Sequence, residues 1–269
     1  MIDNDRKSCI MIFCKRLQEV LDILKSERKQ VILERIQAQQ FVRLEELVDI
    51  LATSESTVRR DLDELENEGK LRRVHGGAEA PANLQLEESI LEKSVKNVQE
   101  KRMIAERAAQ LIMDGDVIFV DAGTTTGVLI DYLQQENLTV VTNSIHHAVK
   151  LVERKIKTII IGGFVKQSTD ASVGAMALEQ IRQLNFDKAF LGMNGIDKNY
   201  FTTPDIEEAT IKRTIIDNAK ESYVLADASK IGQFSFAKVA VIEKANIICQ
   251  SSESSLLDII KEKTRVIEV

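Results

Sequence analysis

Tryptophan is absent from the 269 residues, and cysteine stands only at positions 9, 14 and 249. With no run of Cys and His at ligand spacing, neither a disulfide framework nor a structural zinc site is expected, and a reduced cytosolic protein fits best. Long apolar runs are missing as well. The stretch from Cys9 to Cys14 is far too short for a membrane span or a signal-peptide core, and no small-residue cleavage site follows it. No GxGxxG fingerprint follows the first strand-like run of the C-terminal region and no Walker A sequence exists, which disfavours dinucleotide and ATP binding. An excess of positive charge is also lacking, and the net charge of −6 argues against indiscriminate coating of nucleic acid.

What is present divides the chain in two, because its length exceeds one small domain and suits a small domain followed by one of ordinary α/β size. In the first part, Val31, Ile32, Leu33 and Ile36 predict one amphipathic helix, and Leu44, Leu47, Val48 and Leu51 a second. Val58, Leu62 and Leu65 recur at i, i+4 and i+7 and predict a third. A tight connection at Ala52 to Ser54 makes the last two a helix-turn-helix. Ser54 suits a helix N-cap, and Ser56, Thr57, Arg59 and Arg60 occupy the first turns, the part of a recognition helix that reaches base edges. Gly69 to Ala78, with Lys70, Arg72, Arg73 and His75, reads as a small β-wing. Between Lys25 and Ala80 there are ten Lys or Arg against twelve Asp or Glu, so DNA binding requires sorting of charge. Arg59, Arg60, Lys70, Arg72 and Arg73 must face forward and the acidic run Asp61 to Glu68 largely away.

These residues resemble the winged helix-turn-helix of the DeoR family of bacterial transcriptional regulators. The matching signature is Ser54, Thr57, Val58, Arg59, Arg60, Asp61 and Leu62, followed by Gly69, Arg73, His75, Gly76, Gly77 and Ala78. The resemblance implies that Arg59 and Arg60 contact DNA, with Asp61 as a possible brace for one of those guanidiniums. Residues 1–24 precede the usual start of the family and are read as an added helix from about Lys15 to Leu24 or as a start assigned too early. The helix-turn-helix domain is then 25–80, a polar linker 81–100, and a second domain 101–269 that senses a ligand and oligomerises.

In that second domain, β-rich runs at Val117 to Val120, Thr139 to Val141, Thr158 to Ile161, Lys188 to Leu191 and Tyr223 to Ala226 alternate with helical patterns such as Val128 to Leu133 and Glu207 to Ala219. The alternation predicts a parallel sheet covered by helices on both faces. Small or polar residues follow each strand: Asp121 to Thr126, Thr142 to Ser144, Gly162 and Gly163, Gly192 to Asp197, and Asp227 to Lys230. In an open α/β sheet these ends share a crevice. Gly123 with Thr124, Thr125 and Thr126 at a helix start suits a phosphate, Lys212 and Lys230 supply charge, and a phosphorylated small molecule is expected rather than a neutral sugar. His146 and His147 read as surface or packing positions.

The same loops resemble the DeoR effector domain, which is similar to ribose-5-phosphate isomerase. That extends the implied site to Asp121, Gly123, Thr124, Thr125, Thr142, Asn143, Ser144, Gly162, Gly163, Asn194, Asp197, Glu208, Lys212 and Lys230, with no metal and no cofactor. The wording is closest to the fructose-operon repressors of Gram-positive bacteria, which implies operator DNA and fructose 1-phosphate as partners. Lactose-operon repressors sensing tagatose 6-phosphate are the near alternative. A phosphosugar isomerase is the rival class, with Asp197, Glu207 or Glu208 as base. Against it, Asn194 stands where the isomerase loop has an acid. A homo-oligomer is expected, since useful operator affinity engages two or more reading heads at fixed spacing. An activator is the third class, separable by operon transcription in a deletion strain.

Overall fold

A computed structural model describes residues 25–36, 39, 41–68, 70–79, 84, 85, 87–251 and 254–269. The expected helix at Lys15 to Leu24, Gly69 of the wing and the start of the expected linker at 81–83 lie outside them. The chain forms two compact units that divide between Asn83 and Leu84.

Among the described residues, the first unit has a helix that includes residues 25–36 (α1), followed by β1 (Phe41–Arg43), α2 (Leu44–Leu51), α3 (Glu55–Asn67), β2 (Arg72–Val74) and β3 (Gly77–Glu79). The three expected apolar stripes converge. Ile32 and Ile36 of α1, Leu44 and Leu47 of α2, and Val58, Leu62 and Leu65 of α3 form one buried core with Val42, Leu71 and Ala78. Each large aliphatic side chain withdrawn from water contributes about 2 kcal/mol before entropy is counted. The α2–α3 turn is tight because Ala52 is left-handed, at φ 46°, and Ser54 caps α3 by accepting the Thr57 N–H. The wing is a three-stranded antiparallel sheet in the order β1-β3-β2. Gly77 is required in it, because a Cβ there would lie 2.2 Å from the Val42 carbonyl oxygen.

In the second unit the sheet has seven strands: β4 (Val117–Val120), β5 (Thr139–Thr142), β6 (Lys157–Ile160), β9 (Phe186–Gly192), β12 (Ala219–Ala226), β14 (Asn246–Cys249) and β15 (Val266–Glu268). All pairs are parallel, in the order β15-β14-β12-β9-β4-β5-β6. The alternation of side chains along the strands feeds two cores. Phe119, Ala189, Leu191 and Val224 face one, and Ile118, Val120, Phe190 and Leu225 the other. The second core is closed by α5 (Val98–Ala109), α6 (Thr124–Leu129) and α7 (Ile145–Glu153), through Ile104, Leu129 and Leu151. The first is closed by α8 (Ala175–Arg182) and α9 (Ile206–Asn218), through Ile181 and Ile215. The strand order reverses between β4 and β9, the place where an open α/β sheet offers a crevice.

Two additions frame that crevice. A hairpin of β7 (Phe164–Lys166) and β8 (Ala171–Val173) follows β6, and β10 (Gly195–Ile196), β11 (Tyr200–Thr203) and β13 (Ala237–Val241) form a small antiparallel sheet. The expected linker is also different from a free tether. Within it, α4 (Ile90–Ser94) and the start of α5 belong to the second unit, where Ser89 and Glu92 form a capping box. Ser-x-x-Glu is a helix-start signal that the polar composition of the segment concealed.

Candidate functional site

On the first unit, α3 carries its acidic run on one side, and cations of α1 consume much of it. Lys25 reaches Glu64 at 2.7 Å, and Lys29 reaches Glu64 and Glu68, both at 2.8 Å. Arg28 donates to both oxygens of Asp61, at 2.8 and 3.2 Å. Asp61 is buried, and its partner is Arg28 rather than Arg59 or Arg60, which corrects the brace expected from the motif. Its position at i+3 from Val58 turns it inward, toward α1, while the two arginines that precede it point outward.

The charge that remains outward is the basic set. Arg60 is exposed and has no ion pair among the described residues, and Arg59 is exposed with only Glu55, one turn back on the same helix, as partner. Ser54 is spent on the cap: its Oγ accepts the Thr57 N–H at 3.3 Å and lies 3.0 and 2.8 Å from the hydroxyls of Ser56 and Thr57. In the wing, Lys70 pairs with Glu68, Arg72 with Glu79 across the β2–β3 register, and Arg73 with Asp63. His75 is exposed at the turn, beside Gly76 at φ 83°. Exposed pairs of this kind contribute at most about 1 kcal/mol, so an incoming phosphate displaces them cheaply.

On the second unit, the crevice between β4 and β9 is bridged by Asp121. Its Oδ2 accepts the Gly192 N–H at 3.1 Å from the end of β9 and also accepts from the Lys212 ammonium. Lys212 and Glu208 lie one turn apart on α9 and are both buried. With Ala122, Asn143, Ala171 and Ile211 they and Asp121 line a narrow recess that their own side chains largely fill. Burial works against the Lys212 charge, but the carboxylates of Asp121 and Glu208 outweigh it and hold the ammonium above its ordinary pKa. Glu208 in turn accepts from Thr169 at 2.9 Å and from Lys166 at 3.2 Å.

The expected loops divide into those that line this recess and those that support it. Asn143 lines it, its Oδ1 accepting the Ala122 N–H at 2.9 Å. Gly123, Thr124 and Thr125 form the start of α6 beside it, although Gly123 has an extended φ of 176° that any residue adopts. What favours glycine there is closeness, since a Cβ would lie 3.0 Å from Thr126 Oγ1. Thr142 and Ser144 serve the backbone: Thr142 Oγ1 accepts the Ser144 N–H, and Ser144 Oγ caps α7. Gly162 exchanges hydrogen bonds with Gln180 of α8, and Gly163 passes so close to β8 that a Cβ would meet the Val173 carbonyl at 2.8 Å. Asn194 Oδ1 accepts from Thr203. Asp197 closes the β10–β11 turn by accepting the N–H groups of Asn199 and Tyr200, at 2.6 and 2.7 Å. Glu207 is exposed.

Several residues that the sequence did not single out stand at the same place. Lys166 of the hairpin contacts Glu87, Asp205 and Glu208, and despite burial these carboxylates hold its pKa above the ordinary value. Lys93 and Lys101 lie near Lys230, and burial lowers both, outweighing the pull of Glu87 and Glu208 on the first and of Asp227 on the second. His147 is buried beneath α6, its Nε2 3.1 Å from the Gly123 carbonyl, and burial pushes it down to about 4. It is the packing position that was expected, and His146 is exposed beside Asp170. Lysines spread over α4, α5, β7 and α9 carry no local motif, so only the fold reveals that they meet. Among the described residues no group of His, Cys, Asp or Glu is arranged to hold a metal ion, and no helix is long and apolar enough to cross a membrane.

Residues 28–83 match the DeoR-like helix-turn-helix domain and residues 96–252 the DeoR C-terminal sensor domain. The chain is 44% identical over 246 residues to the uncharacterized HTH-type transcriptional regulator FruR of Bacillus subtilis (strain 168), spanning 91% of this chain and 98% of that protein. It is 33% identical over 249 residues to the lactose phosphotransferase system repressor of Staphylococcus aureus (strain NCTC 8325 / PS 47), spanning 91% and 99%. Among solved structures, ribose 5-phosphate isomerase A from Methanocaldococcus jannaschii matches with a TM-score of 0.39 at 19% identity, over 51% of this chain and 55% of that one. Nothing about activity follows from so distant a likeness.

Proposed function

The chain belongs to the DeoR family of transcriptional regulators, and on that premise we propose that it represses a sugar-utilisation operon and leaves its operator when a phosphorylated sugar binds the second unit. Its relatives by sequence are regulators, not enzymes. The observation that carries the DNA half is the sorting of charge on α3. With the acidic side neutralised by α1, Arg60 is free to enter the major groove and Arg59 to follow once it leaves Glu55, and Lys70, Arg72, Arg73 and His75 of the wing to meet phosphates. Ser56 and Thr57 stand at the same end of α3, while Ser54 orients that end rather than reading bases.

The sensor half rests on the crevice at the β4–β9 reversal. Asp121, Asn143, Glu208 and Lys212 supply polar groups for sugar hydroxyls, and the surrounding lysines, Lys230 among them, the charge for a phosphate. The 44% identity to FruR against 33% to the lactose repressor favours a fructose phosphate, with fructose 1-phosphate as effector, over tagatose 6-phosphate. Such a protein works in the cytoplasm as a homo-oligomer, because one reading head covers little DNA. Coupling between the two ligands is reciprocal: DNA weakens effector binding by the factor by which effector weakens DNA binding.

A mobility-shift assay on the duplex upstream of the chain's own operon, titrated with fructose 1-phosphate, fructose 6-phosphate and tagatose 6-phosphate, tests both halves. Salt-sensitive binding released by one of the three supports the proposal. No preference for that duplex over an unrelated one rejects it.

A further inference from the structure

The segment from Leu84 to Val95 is the first part of the second unit and follows the DNA-reading unit directly in the chain. Its described residues lie beside the crevice and are tied at a few points, among them the Lys93 carbonyl, which accepts from the Lys101 ammonium, and Glu88, which pairs with Lys96. None of the five residues of α4 is buried, and Leu91 and Val95 are 77% and 76% exposed. Its backbone is tied by the Ile90 N–H to the Ser168 carbonyl at 2.9 Å and by the Leu84 carbonyl to the Phe236 N–H at 2.9 Å. The contrast is Glu87, whose side chain is only 9% exposed. Its Oε2 accepts from the Lys166 ammonium. Its Oε1 is buried with no hydrogen-bond partner, with the Lys93 ammonium 3.8 Å away.

A buried carboxylate oxygen without a donor is destabilising, because it has lost its water and gained no hydrogen bond in return. Here that burden falls on a segment with few backbone ties, in a neighbourhood that also holds Lys93, Lys101 and Lys230. The place suits an anion with more oxygens than a carboxylate has. We infer that Glu87 is an internal occupant of the crevice, holding Lys166 in the place that a phosphate ester takes, and that the effector acts by expelling this carboxylate together with the segment that carries it. Lys166 does not depend on Glu87 for its burial, since Asp205 and Glu208 stay at 3.0 and 3.2 Å. The crevice therefore survives the exchange. The inference rests on the sugar-phosphate reading above and adds to it the first step of signal transfer, from ligand to the chain that leads to α3.

The test uses the full-length protein, with inorganic phosphate and the same three sugar phosphates. Calorimetric titration of Glu87→Gln is expected to show the releasing sugar phosphate bound about tenfold more tightly than by the unmodified protein, because the competing state is removed. Hydrogen exchange of the unmodified protein, which requires no variant to fold, is expected to speed up across residues 84–95 when that ligand is added. Equal or weaker binding by the variant, or unchanged or slower exchange at 84–95, overturns the inference while leaving the sensor reading in place. Failure of the unmodified protein to bind inorganic phosphate or any of the three esters overturns both.

Discussion

Lys212 of α9 and Asp121 at the end of β4 form a buried ion pair across the point where the strand order of the sheet reverses, 91 residues apart in the chain. The pair lines the recess at that point, so Lys212 bears on stability as well as on the proposed ligand. Replacing Lys212 by Met leaves the Asp121 charge buried without its partner and is expected to cost about 3–5 kcal/mol. The double variant Asp121→Asn, Lys212→Met recovers most of it. Urea denaturation of the full chain measures both. If the stable double variant still releases operator on addition of sugar phosphate, Lys212 is no effector contact.

Arg60 and Arg59 are adjacent but not equivalent. Arg60 has no ion pair among the described residues, whereas Arg59 must leave Glu55 to reach DNA. Arg60→Ala is expected to weaken operator binding by about 1–3 kcal/mol if the guanidinium reads a guanine in bidentate fashion. Arg59→Ala loses less. Operator affinities of the two variants, measured at one salt concentration, decide the order, and an unchanged affinity for Arg60→Ala rejects its role.

His147 gives the protein a pH signature. Its folded value is pushed down to about 4 from an ordinary 6.5, chiefly by burial. The unfolded chain therefore takes up a proton that the folded chain refuses. Stability is full above about pH 6.5, falls as pH drops toward 4, and loses about 3 kcal/mol from this group. Denaturation midpoints between pH 7 and pH 4.5 should fall less in His147→Gln than in the parent. Parallel curves would contradict the burial of a neutral imidazole.

Gly77 has no room for a side chain, because β3 packs against the Val42 carbonyl of β1. Gly77→Ala is expected to break the β1–β3 pairing and destabilise the reading unit by about 2 kcal/mol or more. Gly76→Ala meets no neighbour but strains a φ of 83°, at a cost of about 1 kcal/mol. Operator affinity and exchange of the β1 amides in the two variants check the difference.

Much of this architecture is legible in local pattern. The strand at Val117 to Val120 is found at those residues, and the helix expected at Glu207 to Ala219 is found one residue earlier, at Ile206–Asn218. Period-two and period-3.6 burial are properties of neighbours in sequence. The helix expected at Val128 to Leu133 instead starts at Thr124 and is followed by a 3₁₀ turn over Ile130–Tyr132. The run Thr124 to Thr126, expected at a helix start, forms the helix's first turn, with Thr126 Oγ1 bonded to the Asp121 and Gly123 carbonyls. The hairpin β7–β8 and the short antiparallel strands are brief runs with no periodicity to read.

By itself the sequence determined the type of reading head, the α/β alternation and the loops that end at one edge of the sheet, because caps, apolar stripes and turn residues act within a few positions of one another. Only the tertiary structure decided which charges meet. Asp61 is given to Arg28, 33 residues away, and Glu87 to Lys166, 79 residues away. A charged side chain carries no signal of its partner until crossovers and hairpins have set the distance between them.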